Sequence, residues 1–333
     1  MTHRIGVLGS GSWGTALAVH LAHTGHEVRL WARDSALAAA MASSRQNSTY
    51  LPGITLPSAI TPTSGMEQAL DGAQFVVMAV PSHGVRDVSK AARAYLPRAC
   101  VIVSATKGLE EGSLLRMSQV LREELADAGD IVALSGPSFA LELARSQPTA
   151  LVAAGGSAAV VESVMAHFGS PALRLYGSAD VVGVELGGAL KNIIAIAAGV
   201  VEGLGLGHNA LAALMTRGLA ELSRLAVAQG AHRDTLSGLA GLGDLVLTCT
   251  GDLSRNRRVG VALARGQSLA EILAGTRMVA EGVRTTEAAL ALGATNGIEL
   301  PIASEMSDVL AGRTDPNTAI RNLMGRKQKL ERT

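Results

Sequence analysis

Residues 4–18 read RIGVLGSGSWGTALA, and this stretch decides the fold. A run from Arg4 to Leu8 ends in Gly9-Ser10-Gly11-Ser12-Trp13-Gly14 and passes directly into an alanine-rich segment. The run predicts a buried strand and the alanines a helix, so the glycines occupy a strand-to-helix turn. Gly9 permits the tight turn, Gly11 lets backbone approach a pyrophosphate, and Gly14 lets the helix pack on the strand. Amides at the helix start, together with its dipole, favour phosphate. Glycine-rich turns are common. This one gains its weight from lying after a strand, before a helix and inside a βαβ unit.

Downstream, short β-branched runs alternate with alanine-rich segments, the pattern of a parallel sheet with crossover helices. Strands are expected at 4–8, 27–31, 75–80, 101–104, 131–134, 150–153 and 173–176. Helices are expected between them, including 15–24, 82–94 and 114–128. From about Ala179 the strand signal stops and the rest reads as helices, broken at GLGLGH, GLAGLGD, TGDLS and ATNGIELP. The expected organisation is therefore an α/β dinucleotide-binding domain over 1–179 and a helical substrate-binding domain over 180–333.

Bulk composition narrows the classes of function. A chain of 333 residues has room for two domains with a core each. Its net charge of +1 argues against nucleic acid as a partner, because phosphate-backbone binding needs a basic excess. Two cysteines, Cys100 and Cys249, are too few for a disulfide framework and lean towards a reducing compartment. The opening residues break their apolar run with glycines almost at once, so no signal peptide is expected. The most hydrophobic stretch carries Glu185, Lys191 and Glu202 among many glycines, which suits a buried helix better than a membrane span. The basic end, GRKQKLERT, reads as a solvated tail.

Several residues bear on cofactor choice and ligand contact. Strand two ends at Trp31, followed by Ala32-Arg33-Asp34. An acid at that point would hold the 2′-hydroxyl of NAD, whereas an arginine suits the 2′-phosphate of NADP. Asp34 lies past the strand end and before SALAAAM, where it would serve as a helix N-cap. Arg33 therefore points to NADPH as the preferred cofactor, with NADH the alternative and an ordinary exposed charge the plainer reading. Further loops leave strand ends at Val80-Pro81-Ser82, Ala105-Thr106-Lys107-Gly108 and Ser135-Gly136-Pro137-Ser138. Ligands of open α/β sheets bind outside the carboxyl ends of the strands. Lys107 is thus placed to meet a phosphate or carboxylate, or else is a solvated loop lysine.

In the second half, Lys191 is the only charge in LGGALKNIIAIAAGVV, residues 186–201. A lone ammonium on an apolar helix loses hydration, a cost met by a partner or a ligand. On its own face lie Gly187 and Gly188 behind it and Ile194, Ala195 and Ala198 ahead, which leaves space beside the charge. The competing reading is a lysine that snorkels out of a core helix. Asp244, set among glycines and leucines in GLGDL, is either a helix N-cap or a countercharge for Lys191. Ser254-Arg255-Asn256-Arg257-Arg258 begins a helix with Ser254 as N-cap and three arginines in the first turn. That is the unfavourable end for cations, by roughly 0.3–1 kcal/mol each when exposed. A bound phosphate would reverse the sign by engaging guanidinium and amide donors together. Glu281 is suited to the start of the helix that follows Val279-Ala280. His83, His208 and His232 show no metal-ligand spacing, so no metal site is expected.

Taken together, GSGSWGTALA, ATKGLE, SGPSFA, VELGGALKN, AGLGDLVLTCT, SRNRR and VAEG resemble, in order and over essentially the whole chain, bacterial NAD(P)-dependent glycerol-3-phosphate dehydrogenases. The resemblance implies a Rossmann-type doubly wound sheet followed by an all-α C-terminal domain of 6-phosphogluconate-dehydrogenase-like architecture. It implies a cytoplasmic homodimer that reduces dihydroxyacetone phosphate to glycerol 3-phosphate for phospholipid synthesis. By motif, Lys191 corresponds to the proton donor and acceptor. Lys107, Gly136, Ser138, Lys191, Asp244, Ser254, Arg255 and Asn256 match substrate positions. Gly9, Gly11 and Gly14, with Ser12, Trp13, Arg33, Lys107, Ala140, Arg255, Val279 and Glu281, match positions that line the cofactor.

Two other classes remain at this point. One is a dehydrogenase of the same plan acting on a hydroxy acid or a sugar nucleotide. The arginine-rich helix start speaks against the former, and the latter would look to Cys249 as nucleophile. The other is a non-catalytic NADP-binding regulator, which would have no use for a lone buried lysine.

Overall fold

The computed structural model describes residues 2–126, 128–275, 280–328 and 330. Its first half interleaves strands β1 (Arg4–Leu8), β2 (Glu27–Trp31), β3 (Gln46–Asn47), β4 (Leu51–Thr55), β5 (Ile60–Thr63), β6 (Phe75–Met78), β7 (Val101–Ser104), β8 (Ile131–Ser135), β9 (Thr149–Gly155) and β10 (Leu173–Ser178). The intervening helices are α1 (Ser12–His23), α2 (Ser35–Ser44), α3 (Met66–Leu70), α4 (Val85–Ala92), α5 (Met117–Glu124), α6 (Ala140–Ala144) and α7 (Ala158–Phe168).

Eight strands form one sheet in the order β10-β9-β8-β7-β6-β1-β2-β5. Chain order reverses between β1 and β6, which puts the Gly9–Gly14 loop at the switch point where such sheets bind ligands. Both faces are covered. Val7, Val77 and Val103 pack into one cluster with Leu17 of α1, while Leu8, Met78 and Ile102 pack into another with Val120 and Leu121 of α5. Burial on two sides explains why these strands read as continuous apolar runs.

The sheet departs from the expected pattern in three ways. β9 runs antiparallel to β8. The segment between them holds only the five-residue α6, about 7.5 Å of helix, too short to carry the chain back along the sheet for a parallel return. β5, parallel to β2 at the sheet edge, went unread because Pro62 sits within it, and an edge position is where a strand tolerates proline. The β3–β4 hairpin is likewise new, with only two paired positions. Two helices differ from expectation. The one expected at 114–128 contracts to Met117–Glu124, and Ser82–Gly84 and Arg93–Tyr95 are 3₁₀ turns flanking α4.

After β10 the described elements are helical: α8 (Val181–Gly203), α9 (Gly207–Ala228), α10 (Arg233–Ser237), a π-turn at Leu239–Gly243, α11 (Asp244–Thr250), α12 (Arg255–Ala264), α13 (Leu269–Ala274), α14 (Glu281–Asn296), α15 (Pro301–Leu310) and α16 (Pro316–Met324). α8 is the axis of this half, buried without interruption from Gly183 to Val201. It is long and apolar enough to cross a membrane, yet 89% of its apolar window is packed inside the protein. α12 crosses it at backbone contact. A methyl group on Gly199 would collide with the Arg257 carbonyl, and one on Gly260 with the Ile196 carbonyl. The two halves are also stitched together. Leu109, from the loop after β7, belongs to the helical core, and Glu185 of α8 accepts from the Ser118 amide (2.7 Å) and hydroxyl (2.6 Å) at the start of α5 and from Arg116 (2.6 Å).

Candidate active site

Lys191 does not snorkel. It is 6% exposed, and its ammonium donates to Asp244 Oδ1 at 2.6 Å and to Thr248 Oγ1 at 2.5 Å. Asp244 is fully buried, and its second oxygen, Oδ2, accepts from Lys107 Nζ at 2.7 Å. Lys107 also donates to the Gly136 carbonyl at 3.0 Å. Asp244 is therefore a countercharge shared by two lysines. The helix-capping alternative fails, since it is Gly243 that caps α11 and Asp244 makes no capping bond. Burial drives the Lys191 ammonium down from 10.5 to about 8; Asp244 opposes the shift and Lys107 adds to it. A lysine tuned close to neutrality can give and take a proton at physiological pH.

The site sits between the halves because each half supplies one wall. β7 and β8 end in the loops that carry Lys107, Gly136 and Ser138, whose hydroxyl donates to the Gly136 carbonyl at 3.1 Å. α8 and α11 supply Lys191 and Asp244. Gly188, three residues before Lys191, lets α8 approach β8 closely, since a methyl there would strike Ser135 Oγ.

Beside this cluster, Ser254 caps α12 by accepting from the Arg257 amide at 3.2 Å. Asn256, next in the turn, donates to Asn192 Oδ1 (2.8 Å) and accepts from the Gly282 amide (3.0 Å). Arg255 keeps its side chain exposed. The three arginines are not equivalent. Arg257 is neutralised by Glu202 at 2.6 Å and Asp252 at 3.0 Å, whereas Arg258 reaches only the Leu253 carbonyl at 3.5 Å, and Arg255 is the cation adjacent to Asn256. Glu281 opens α14 and reaches across to the sheet half, accepting from the Ser82 amide (3.1 Å) and hydroxyl (2.6 Å).

At the switch point, a methyl on Gly9 would press on Ala79 at 2.8 Å and one on Gly14 would fall on the Gly9 carbonyl, whereas Gly11 faces open space. Backbone at Gly11 is therefore free for a close-approaching anion. The Ser12 hydroxyl donates to the Tyr50 carbonyl at 2.6 Å, and the Trp13 indole N–H is buried without a partner, a donor awaiting an acceptor. Asp34 caps α2, its Oδ1 accepting from Ala36 at 2.9 Å and Leu37 at 3.4 Å. Arg33 is exposed beside it. Ala140 begins α6, partly buried against the sheet core. Val279 lies outside the described residues.

Sequence reasoning missed Thr248 and Asn192. Thr248 was accessible to it, being four residues beyond Asp244 and so on the same helix face. Asn192 adjoins Lys191 but lies about 100° round the helix, and its role depends on where α12 packs. Cys249 is buried and its thiol is pushed up to about 12 by desolvation, so it offers no thiolate nucleophile. Among the described residues no three His, Cys, Asp or Glu side chains are grouped to hold a metal.

Comparison with known proteins gives a consistent result. The NAD-dependent glycerol-3-phosphate dehydrogenase N-terminus family matches residues 4–160, and the corresponding C-terminus family matches residues 180–321. The chain is 50% identical over 332 residues to glycerol-3-phosphate dehydrogenase [NAD(P)+] of Koribacter versatilis, covering 98% of each chain. It is 49% identical over 336 residues to the protein of the same name in Geobacter sulfurreducens, covering 100% of each. Among solved structures, glycerol-3-phosphate dehydrogenase from Coxiella burnetii superposes with a TM-score of 0.94 at 38% identity, covering 98% of this chain and 99% of that one.

Proposed function

The chain belongs to the NAD-dependent glycerol-3-phosphate dehydrogenase family, and on that premise we propose that it reduces dihydroxyacetone phosphate to sn-glycerol 3-phosphate with NAD(P)H, feeding glycerophospholipid synthesis. The observation that carries the reading is the buried Lys191 held by Asp244, with Lys107 on the other carboxylate oxygen.

The residues at the switch point fit a dinucleotide. Gly9, Gly11 and Gly14 form the turn, and Ser12, Trp13, Ala140, Arg255 and Glu281 line the rest of the cofactor's path. The unpartnered Trp13 N–H and the open space over Gly11 support this fit. When bound, the reduced nicotinamide supplies a hydride to the substrate carbonyl carbon. With Asp34 engaged as a cap, Arg33 is the residue that meets the ribose, so NADPH is preferred over NADH.

Lys191 donates a proton to the C2 oxygen of dihydroxyacetone phosphate as negative charge develops there. Proton transfer from a positioned group contributes about 10²–10⁴-fold, and the ammonium also stabilises the developing oxyanion. Asp244 and Thr248 hold that ammonium in place, and Lys107 with Gly136 and Ser138 forms the opposite wall. The substrate phosphate is bound by Arg255, Asn256 and the first amides of α12, which helix geometry leaves without an intrahelical acceptor. Residues 1–179 thus act as the dinucleotide-binding domain and 180–333 as the substrate domain. A cytoplasmic homodimer is inferred from the same family; the buried free cysteines accord with a reducing compartment, and sedimentation reads the dimer.

The test is oxidation of NADPH and of NADH with dihydroxyacetone phosphate, with unphosphorylated dihydroxyacetone as control. Turnover that requires the phosphate, and that falls by about 10²-fold or more in Lys191→Ala while cofactor affinity persists, is expected. An active Lys191→Ala enzyme overturns the assignment of the acid.

A further inference from the structure

Ser82 has no part in the mechanism above, yet it closes a circuit of contacts around the site. It follows Val80-Pro81 at the end of β6, the strand that neighbours β1 at the switch point, and it is 3% exposed. Its amide and hydroxyl take one oxygen each of the Glu281 carboxylate, at 3.1 and 2.6 Å. The residue after Glu281 donates its amide to Asn256, which donates to Asn192 beside Lys191. Lys191 and Lys107 then share Asp244. The circuit returns through Gly108, where an added methyl carbon would lie 2.6 Å from Ser82 Cβ and 3.3 Å from Glu281 Oε2.

We propose that Ser82 is a positioning residue that sets the Glu281 carboxylate and the start of α14 for dinucleotide binding, joining the cofactor wall to the substrate wall. The inference rests on the reading above that Glu281 lines the cofactor. Its physical basis is that both carboxylate oxygens are held by one residue of the opposite half. The first turn of α14 has no side-chain cap of its own. A carboxylate left free on that turn would sample several rotamers, and its alignment would be lost on each binding event. The hydroxyl bond is charge-assisted and short, and removing one such bond changes an equilibrium by roughly 10-fold or more.

The experiment is direct titration of the purified full-length protein with NADPH by calorimetry, for wild type, Ser82→Ala, Glu281→Ala and the double variant, with thermal melts and KM for dihydroxyacetone phosphate alongside. Ser82→Ala retains the amide contact, and its Kd for NADPH is expected to rise about 10-fold while KM for the ketone stays within about two-fold. The double variant is expected to bind no more weakly than Glu281→Ala, as residues acting through one another are non-additive. Weak binding in Glu281→Ala with normal binding in Ser82→Ala overturns the positioning role alone. Normal binding in both overturns the cofactor-lining reading, and this inference with it. Additive losses show that Ser82 acts independently of Glu281 and also overturn it. A melting temperature that falls in Ser82→Ala with Kd unchanged assigns Ser82 a purely structural role.

Discussion

Replacing Asp244 by Asn tests whether that carboxylate keeps Lys191 charged. In the wild type, burial lowers the ammonium to about 8 even with the carboxylate at 2.6 Å. Opposite charges at this range move a pKa by about 1–3 units, so asparagine should lower Lys191 further, by about 2 units. At a pH of about 7.5 the protonated fraction then falls from roughly three-quarters to roughly 3%, a loss of about 25-fold from protonation alone. The assay is kcat/KM for dihydroxyacetone phosphate from about pH 5.5 to about 9.5, with the variant always divided by wild type at the same pH, because this constant reports the free enzyme. Wild-type reduction should decline above about pH 8, and the ratio of variant to wild type should recover as pH falls towards about 5.5. A ratio independent of pH would refute the reasoning and leave Asp244 with a purely geometric role.

Other outcomes follow from the same geometry. Arg255→Ala should raise KM for dihydroxyacetone phosphate by about 10–100-fold with kcat nearly unchanged, read by steady-state kinetics. Arg33→Ala should cut kcat/KM for NADPH by about 10-fold or more and leave NADH little affected, read as the ratio of the two cofactors. Glu185→Ala leaves Arg116 and the start of α5 without their shared acceptor, and should cost about 3 kcal/mol in urea unfolding. Gly199→Ala forces a methyl onto the Arg257 carbonyl where α8 and α12 cross, and should destabilise by about 3 kcal/mol in the same assay.

Much of the fold and of the candidate site is legible before any coordinates, and the legible part is local. The strand, the three glycines and the helix of residues 4–23 specify one another through periodicity and backbone sterics alone. Asp34 and Ser254 were readable as helix caps, because a cap is a contact within three residues. The buried lysine was visible as a charge without neighbours in an apolar helix. Chain sequence also bears on family membership, since the ordered motifs run through both halves.

What tertiary structure decided are contacts between residues distant in the chain. Local pattern left Lys191 open to snorkelling and Asp244 open to capping. The packing of α11 on α8, 53 residues apart along the chain, is what puts the carboxylate against the ammonium. Arg255 and Arg257 read alike as first-turn cations, and only the position of Glu202 on α8 removes one of them from play. The antiparallel turn into β9, the trans-capping of α5 by Glu185 and the grip of Ser82 on Glu281, 199 residues away, are equally silent in sequence. Periodicity and capping act over a few residues and are written in the order of the chain. Which charges meet depends on how whole helices and strands bury their apolar faces against one another, and that is determined only once the chain has folded.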